Sequence, residues 1–282
     1  MAFPFITTLV LCAAQGIVLD RPPGLVIVGI FKNEAPNLGP WLDYYLNAQG
    51  AVAAILVDNG STDDWQRVVA PFGDRVRVTT DGAAHGQVAL YNKYALPLLK
   101  REFPRDWVVV IDLDEYLYAR DPGRRWPPTL AQTVRDVLDP GAANDVAVPW
   151  KMFGSSGRDT QPRNGTVCGF TWRRAYHKPM IIPGKSLARV AALERFVIHS
   201  HVVAGREGPH RTLISEELLK AAPLHLNHYA IQSKQYFRET KMSRGDVNTM
   251  RAEKMRTWDY FRKYDWNDVE DTELAARADC GP

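Results

Sequence analysis

The sequence predicts an α/β fold: a mixed, mainly parallel sheet flanked by helices. In the first half of the chain, short apolar runs alternate with stretches whose apolar residues recur at helical spacing. Strands that alternate with helices favour parallel pairing through right-handed crossovers. Three of the apolar runs end in polar residues, which suits an open α/β sheet because ligands bind at the carboxyl ends of its strands.

Each element has its own pattern. In the first helix, Trp41, Leu42, Tyr45 and Leu46 form one apolar stripe. The elements predicted for the first half are a strand over 25–31, a helix over 36–48, strands over 52–57 and 76–79, a helix over 87–102 and a strand over 107–111. The second half is predicted to be a smaller, largely antiparallel portion with C-terminal helices. Its elements are a helix over 130–138, a strand over 145–152, short strands over 167–203 with breaks at Gly169, Gly184 and Gly205, a strand ending near 229, and helices over 233–244 and 248–264.

Composition narrows the functional classes. The chain has 282 residues, of which 45% are apolar and 24% charged, and this suits a globular protein with a sizeable core. A net charge of +3 is too small to indicate a nucleic-acid partner. Cys12, Cys168 and Cys280 are widely separated, and we interpret them as neither a zinc site nor a disulfide framework, which favours a reducing, cytoplasmic compartment. Residues 1–24 form an apolar arm without a preceding basic residue, so a packed arm or extra strand and a weak membrane anchor or signal, with peripheral membrane association, all stay open.

Two carboxylates at the end of the fourth strand are the strongest functional signal. Asp112 and Asp114 directly follow the apolar run 107–111, and residues two apart share a face in extended chain. Buried charge is costly unless something positive meets it. Hard divalent cations prefer oxygen ligands of this kind. A solvated strand-end turn is the alternative, and Glu115 ranks below the pair.

Polar residues after the other strands are candidates for binding a nucleotide. Asp58 ends the second strand, where an acid in dinucleotide-binding folds accepts a hydrogen bond from the ligand, although a simple turn is the alternative. Ser61, with Asp64 three residues later, is predicted to cap a helix. The run Lys32, Asn33 and Glu34 follows the first strand, and Gln87 and Asn92 lie in the first turns of the helix over 87–102.

The late part of the chain adds basic and imidazole groups. His228 lies at a predicted strand end, where its imidazole could join Asp112 and Asp114 around a divalent ion. Lys185 could meet a phosphate or lie on the solvated surface.

Several segments in order carry a family resemblance. They are Ile-Phe-Lys-Asn-Glu at 30–34, Val-Asp-Asn-Gly-Ser-Thr-Asp-Asp at 57–64, Val-Ile-Asp-Leu-Asp-Glu-Tyr at 110–116, Gly-Lys-Ser at 184–186 and Asn-His-Tyr-Ala-Ile-Gln-Ser-Lys at 227–234. In this combination the chain resembles the family-2-like glycosyltransferases, and within them a branch akin to family 92. The resemblance runs over 25–245, with 246–282 as a C-terminal helix and tail.

The resemblance implies a GT-A (Rossmann-like) fold, a nucleotide-sugar donor that is most often a UDP-sugar, and a glycan or other hydroxyl acceptor. It also implies Mn²⁺ or Mg²⁺ at Asp112 and Asp114, with His228 as a further ligand and Asp58 in contact with the base. Relatives of this branch are expected to invert the anomeric carbon, which needs a general base on the acceptor hydroxyl. Asp159 is the candidate for that base.

Two other functions stay open. One is a non-catalytic nucleotide- or sugar-binding module of the same fold. The other is an aspartate-dependent phosphohydrolase, which also uses an Asp-x-Asp motif at a strand end, usually on the first strand of the sheet rather than the fourth.

Overall fold

The computed structural model describes residues 21–82, 86–121, 127–208, 211–244, 256–278 and 280. The predicted arm over 1–24 lies almost entirely outside the described residues, as does the start of the helix predicted over 248–264. Within the described stretches, every helix is too short or too polar to cross a membrane.

Through the strand that ends at Val110 the elements agree with the predicted order, whereas the strand over 115–119 and the helix over 216–221 were not predicted. The strands are β1 (Leu25–Phe31), β2 (Ala53–Asp58), β3 (Val76–Thr80), β4 (Trp107–Val110), β5 (Glu115–Ala119), β6 (Asp145–Met152), β7 (Trp172–Arg173), β8 (Met180–Arg189), β9 (Leu193–Val197), β10 (Ser200–Val203), β11 (Arg206–Glu207), β12 (Arg211–Ile214), β13 (Leu224–His228) and β14 (Val269–Glu270). The α-helices are α1 (Ala35–Asp43), α2 (Trp65–Val69), α3 (Gln87–Leu90), α4 (Leu96–Glu102), α5 (Leu130–Thr133), α6 (Gly165–Gly169), α7 (Glu216–Ala221), α8 (Lys234–Tyr236), α9 (Met242–Arg244) and α10 (Trp258–Tyr264). Turns of π-helix extend α1 (Tyr44–Ala48) and α5 (Val134–Leu138), join α3 to α4 (Tyr91–Ala95) and join α8 to α9 (Phe237–Lys241).

A nine-stranded sheet organises the molecule, with strand order β3-β2-β1-β4-β8-β6-β13-β5 and β12 paired to β8. Strands β3, β2, β1 and β4 pair in parallel, as predicted for the first half. Strand β8 runs antiparallel to both β4 and β6, whereas β13 is parallel to β6 and antiparallel to β5. The predicted α/β class with an antiparallel second portion is therefore confirmed.

The sheet must curl, because β4 and β5 follow each other in the chain but lie four pairing steps apart. Four steps across a flat sheet would span roughly 19 Å, at about 4.8 Å between neighbouring strands. The connection is a tight turn in which the Glu115 N–H donates to the Asp112 carbonyl oxygen at 3.0 Å. Curling brings β5 back towards the end of β4, and it places Asp112 and Asp114 in a concave corner.

Helices cover both faces of the parallel half, so β1, β2 and β4 are buried on both sides, as their apolar runs predict, whereas the edge strand β3 is only partly buried. Leu25 and Ile27 of β1 pack with Trp41 of α1. Val26 and Val28 point to the opposite face and belong to a second core cluster, beside α3 and α4. The predicted stripe on α1 is confirmed, since all four of its side chains are buried.

One predicted break is wrong: Gly184 lies inside β8, opposite Pro149 of β6. A Cβ at Gly184 would approach the Val148 carbonyl oxygen to 2.1 Å, so only glycine permits this pairing. The glycine marks close contact between two strands, and β8 continues through it to Lys185.

The interpretation of the cysteines is also wrong. Cys168 of α6 and Cys280 near the C-terminus form a disulfide across 112 residues of chain. Spacing alone carried no sign of this pair, because the two cysteines meet only through the tertiary fold. Disulfides persist in oxidising environments, so this one weighs against the reducing compartment that the spacing suggested.

Candidate active site

The candidate site lies at the carboxyl edge of the curled sheet. Strands β1, β2 and β4 are parallel and end together, and β13 runs in the same direction across β8 and β6. Asp58, Asp112 and His228 therefore belong to the same edge. The topology brings together strand ends that are far apart in sequence, as the polar clusters after the strands predict.

Asp112 is held by a buried lysine. Its side chain is 31% exposed, and its Oδ2 accepts a hydrogen bond of 2.8 Å from Nζ of Lys185, which is 2% exposed. The same ammonium lies 3.4 Å from Oε2 of Glu115. Glu115 is fully buried and also accepts the Asp112 N–H at 2.9 Å. One lysine from the middle of β8 thus joins two acids of the turn between β4 and β5.

Asp114 has a lysine of its own. Nζ of Lys241, in the π-helical turn after α8, donates to Oδ2 of Asp114, and both side chains are buried. Nε2 of His228 lies 3.7 Å from Oδ1 of the same carboxylate. The ring of Trp150 packs against the His228 ring, with 4.4 Å between centroids. Asp114 and His228 are therefore neighbours, as predicted.

The electrostatics of the cluster follow from burial and from these pairs. Burial works to raise the pKa of Asp112 and Asp114, but the facing ammonium groups outweigh it, and both pKa values lie below the ordinary range. Burial lowers the pKa of His228 to about 4, against the opposing effect of Asp114, so its imidazole is neutral at pH 7. Burial raises the pKa of Glu115 to about 8, which keeps this carboxyl largely protonated at pH 7.

These shifts predict a stability that falls between pH 6.5 and pH 8. Folded Glu115, with a pKa of about 8 against 4.5 unfolded, binds more protons than the unfolded chain, so rising pH destabilises the fold. His228, with a pKa of about 4 against 6.5, has the opposite effect mainly below pH 6.5, and above that pH it adds only about 0.4 kcal/mol. From pH 6.5 to 8, Glu115 alone should lower the free energy of unfolding by about 2 kcal/mol.

Urea unfolding at the two pH values measures this change. The Glu115→Gln variant, whose amide does not titrate, should lose it. If the free energy of unfolding of that variant still fell from pH 6.5 to pH 8 by the same amount, the pH dependence would come from other groups.

The residues after β1 and β2 are tied to each other. The Asn33 N–H donates to Oγ of Ser61 at 2.9 Å, and Oδ1 of Asn33 accepts the Thr62 N–H at 2.7 Å. Asp58 is buried, and its Oδ1 accepts the Ser61 N–H at 2.8 Å. The predicted cap at Ser61 is wrong: the next helix begins at Trp65 without a side-chain cap, because the Ser61 hydroxyl is used by the β1 loop.

Glu34 links this loop to the C-terminal part of the site. It is buried, and its carboxylate accepts hydrogen bonds from the Tyr236 hydroxyl at 3.1 Å and from Nδ2 of Asn37 at 2.6 Å. The ring of Tyr236 lies 5.7 Å from Nζ of Lys241. Lys32, two residues earlier in the chain, is exposed. Glu34 and the Lys241–Asp114 pair are thus joined through one tyrosine.

The two helix residues proposed for donor binding have different surroundings. Gln87 is buried, and its Nε2 lies 3.0 Å from the Tyr91 hydroxyl and 3.4 Å from Oδ1 of Asp112, so it reaches the site. Asn92 stays a predicted ligand, although its amide already takes part in hydrogen bonds within the fold. Both of its N–H groups donate to backbone carbonyl oxygens, of Val88 and Phe196, and its Oδ1 accepts the Phe196 N–H.

Asp159, the candidate base, lies at the surface. Its side chain is 77% exposed and pairs with Nζ of Lys234 at 2.8 Å. Sequence reasoning assigned no role to Lys241, Tyr236 or Trp150. The segment around Lys241 is polar, so it gave no sign of a buried ammonium group. Lys185 lies within the largely apolar strand β8, and a lysine in such a strand is a signal, since a buried ammonium needs a buried acid.

A divalent ion does not fit these side chains as they stand. One oxygen of Asp112 and one of Asp114 already accept from buried ammonium groups. Across the described residues, no group of three or more His, Cys, Asp or Glu side chains could hold a metal ion. The fold brings Asp112, Asp114 and His228 together. However, a buried lysine already neutralises each of the two carboxylates.

Comparison with known proteins gives distant structural likenesses. No protein-family model and no curated protein matches the chain. Solved structures that it resembles include S. aureus TarS 1-349 (17% identity, TM-score 0.35, covering 60% of this chain and 48% of that one), the same protein in complex with UDP-GlcNAc (15%, 0.36, 60% and 46%) and the mannosyltransferase PcManGT from Pyrobaculum calidifontis in complex with GDP-Man and Mn²⁺ (19%, 0.31, 49% and 37%). The chain spans less than half the length of each. Likenesses of this size leave its activity to be argued from its own residues.

Proposed function

We propose that this protein is a glycosyltransferase that moves a sugar from a nucleotide-sugar donor to a glycan or other hydroxyl acceptor. The observation that carries the proposal is the meeting of Asp112, Asp114 and His228 at one edge of an α/β sheet, beside the polar loops that follow β1 and β2. Ligands bind at that edge in such sheets. The family resemblance of the same segments favours a UDP-sugar donor, transfer with inversion and a branch akin to family 92.

The proposed reaction assigns separate tasks to these groups. The acceptor oxygen forms a bond to the anomeric carbon while the bond from that carbon to the diphosphate oxygen breaks. The acceptor proton passes to a base, and negative charge develops on the leaving diphosphate. Preorganised positive charge lowers the barrier to such a step. In this proposal Asp58, with Lys32, Asn33 and Glu34, lines the nucleoside pocket.

The metal and the general base are assignments that rest on the resemblance. The resemblance implies Mn²⁺ or Mg²⁺ on Asp112, Asp114 and His228, but such an ion would have to displace Lys185 and Lys241 from the two carboxylates, so no step of the proposal passes through a metal. Asp159 stays the candidate base, and an acceptor hydroxyl there would have to displace its ion pair with Lys234.

The test is transfer from a panel of nucleotide sugars to a glycan library, read by mass. We expect at least one donor to give a glycosylated product, and we expect Asp112→Asn to lower its rate by about 100-fold or more, as loss of a preorganised charged group does. Asp259→Asn, at an exposed acid in an ion pair with Arg262, is the matched control and should keep the rate.

The two alternatives give different outcomes. A non-catalytic module would bind a nucleotide sugar and leave it intact with every acceptor. A phosphohydrolase would cleave a generic aryl phosphate with a rate that depends on Asp112. Either result, without any transfer, would overturn the proposal.

A further inference from the structure

Two lysines occupy the place where the resemblance puts a metal. Lys185 reaches the cluster from β8 and Lys241 from the helical segment after β13, so the two ammonium groups come from different elements of the fold. Their side chains are 2% and 6% exposed. Each contacts one carboxylate of the Asp-x-Asp motif, through one oxygen of Asp112 and one of Asp114.

Because both lysines are buried, the fold needs the ion pairs Lys185–Asp112 and Lys241–Asp114 for its stability. A buried ammonium without a facing acid would be strongly destabilised, and so would a buried carboxylate without a facing cation. The fold therefore specifies the lysines and the acids together. Lys185 is fixed further by Glu115, 3.4 Å away, and by its position within a central strand. Lys241 is fixed by the ring of Tyr236, whose hydroxyl donates to Glu34.

The charges are those that a metal site would have. Two carboxylates with two ammonium groups sum to zero, as do two carboxylates with one divalent ion. Each ammonium has three N–H donors, so it can face a carboxylate and a phosphate oxygen at once. A divalent ion added to the same cluster would meet two positive charges that are already paired, and like charges repel.

We propose that Lys185 and Lys241 take the role of the divalent ion, so that the diphosphate of the donor binds without metal. The inference rests on the proposed function for the identity of the ligand. It assigns the lysines to positioning Asp112 and Asp114 and to neutralising the diphosphate as it leaves. It also explains why acids that could hold a metal instead face buried lysines.

The test uses UDP and MnCl₂ as separate probes. Titration of MnCl₂ into the full chain, followed by calorimetry, should show no saturable site below about 1 mM, a dissociation constant that corresponds to about 4 kcal/mol. UDP should raise the melting temperature equally in EDTA and in Mn²⁺. Replacing both lysines, in Lys185→Met with Lys241→Met, should lower UDP affinity in EDTA by about 100-fold, as loss of charged partners does. It should also create a Mn²⁺ site at the freed acids.

Each result of these measurements either supports or overturns the inference. A Mn²⁺ site in the unmodified protein, lost in Asp114→Asn, overturns the inference, as does a UDP shift that EDTA abolishes. The titration of the unmodified chain needs no variant, so it tests the inference even where the double substitution fails to fold. In that case the single substitution Lys241→Gln replaces the double one. Lys93→Met, at an exposed ion pair with Asp81, should behave like the unmodified protein. Absence of any UDP shift in EDTA and in Mn²⁺ would instead count against the proposed function.

Discussion

Lys151→Met should lower the free energy of unfolding by about 2–3 kcal/mol, because it removes one of the two cations that face the buried carboxylate of Asp271. Lys151 is 1% exposed and lies next to the last residue of β6. Its Nζ donates to Oδ2 of Asp271 at 2.9 Å and to the Tyr118 hydroxyl at 2.6 Å. Methionine matches the length of the lysine stem and keeps its packing. The loss of stability therefore measures what the Lys151 ammonium group contributes to the free energy of unfolding.

The neighbours of this pair keep the loss below that of a fully uncompensated carboxylate. Asp271 also accepts from Nε of Arg173 at 2.7 Å, and Glu273 accepts from Nε of Arg120 at the same distance. Burial lowers the pKa of Lys151, and Asp271 opposes that effect. The C-terminal segment is thus held against β5 and β6 by charge in a place that excludes water.

Urea unfolding compares Lys151→Met with Lys93→Met, whose lysine is exposed and pairs with Asp81 at 3.1 Å. The surface variant should leave the unfolding midpoint nearly unchanged, since exposed ion pairs contribute little. Adding Asp271→Asn to Lys151→Met should give less than the sum of the two losses, because contacting residues couple. Additive losses, or a loss in Lys151→Met no larger than in the control, would contradict the assignment.

The parallel half of the sheet could be predicted because its signals are local. Strands β1, β2 and β4 are apolar runs and α1 has a single apolar stripe, so their burial can be predicted from residues that are neighbours in sequence. Asp58, Asp112 and Asp114 could be placed at the functional edge by the same logic, since the carboxyl ends of parallel strands meet.

What could not be predicted depends on partners distant in the chain. Lys185 lies 73 residues from Asp112, and Lys241 lies 127 residues from Asp114. Lys185, within a largely apolar strand, signals a buried acid but does not identify it, and Lys241 lies in a polar segment that gives no such signal. For Asn92, the position near a helix start predicts a ligand, but the sequence could not show that the backbone of Phe196 in β9 contacts its amide.

Loss of the disulfide between Cys168 and Cys280 should lower the free energy of unfolding by about 2–4 kcal/mol, since the bond constrains an unfolded loop of 112 residues. A longer loop loses more entropy when its ends are joined, although the gain grows slowly with length. The bond ties α6 to the end of the same segment that Lys151 holds through Asp271. Without it, that segment would rely on the buried charges alone.

Thermal melts with and without a reductant measure the effect, and Cys168→Ser should reproduce the reduced state without one. The Cys12→Ser variant is the matched control, because it removes the remaining cysteine and should keep the full sensitivity to reductant. Peptide mapping without reduction should recover Cys168 and Cys280 in one linked product. Recovery of the two peptides separately, with a melting temperature that the reductant does not move, would show that the tertiary contacts hold this segment without the bond.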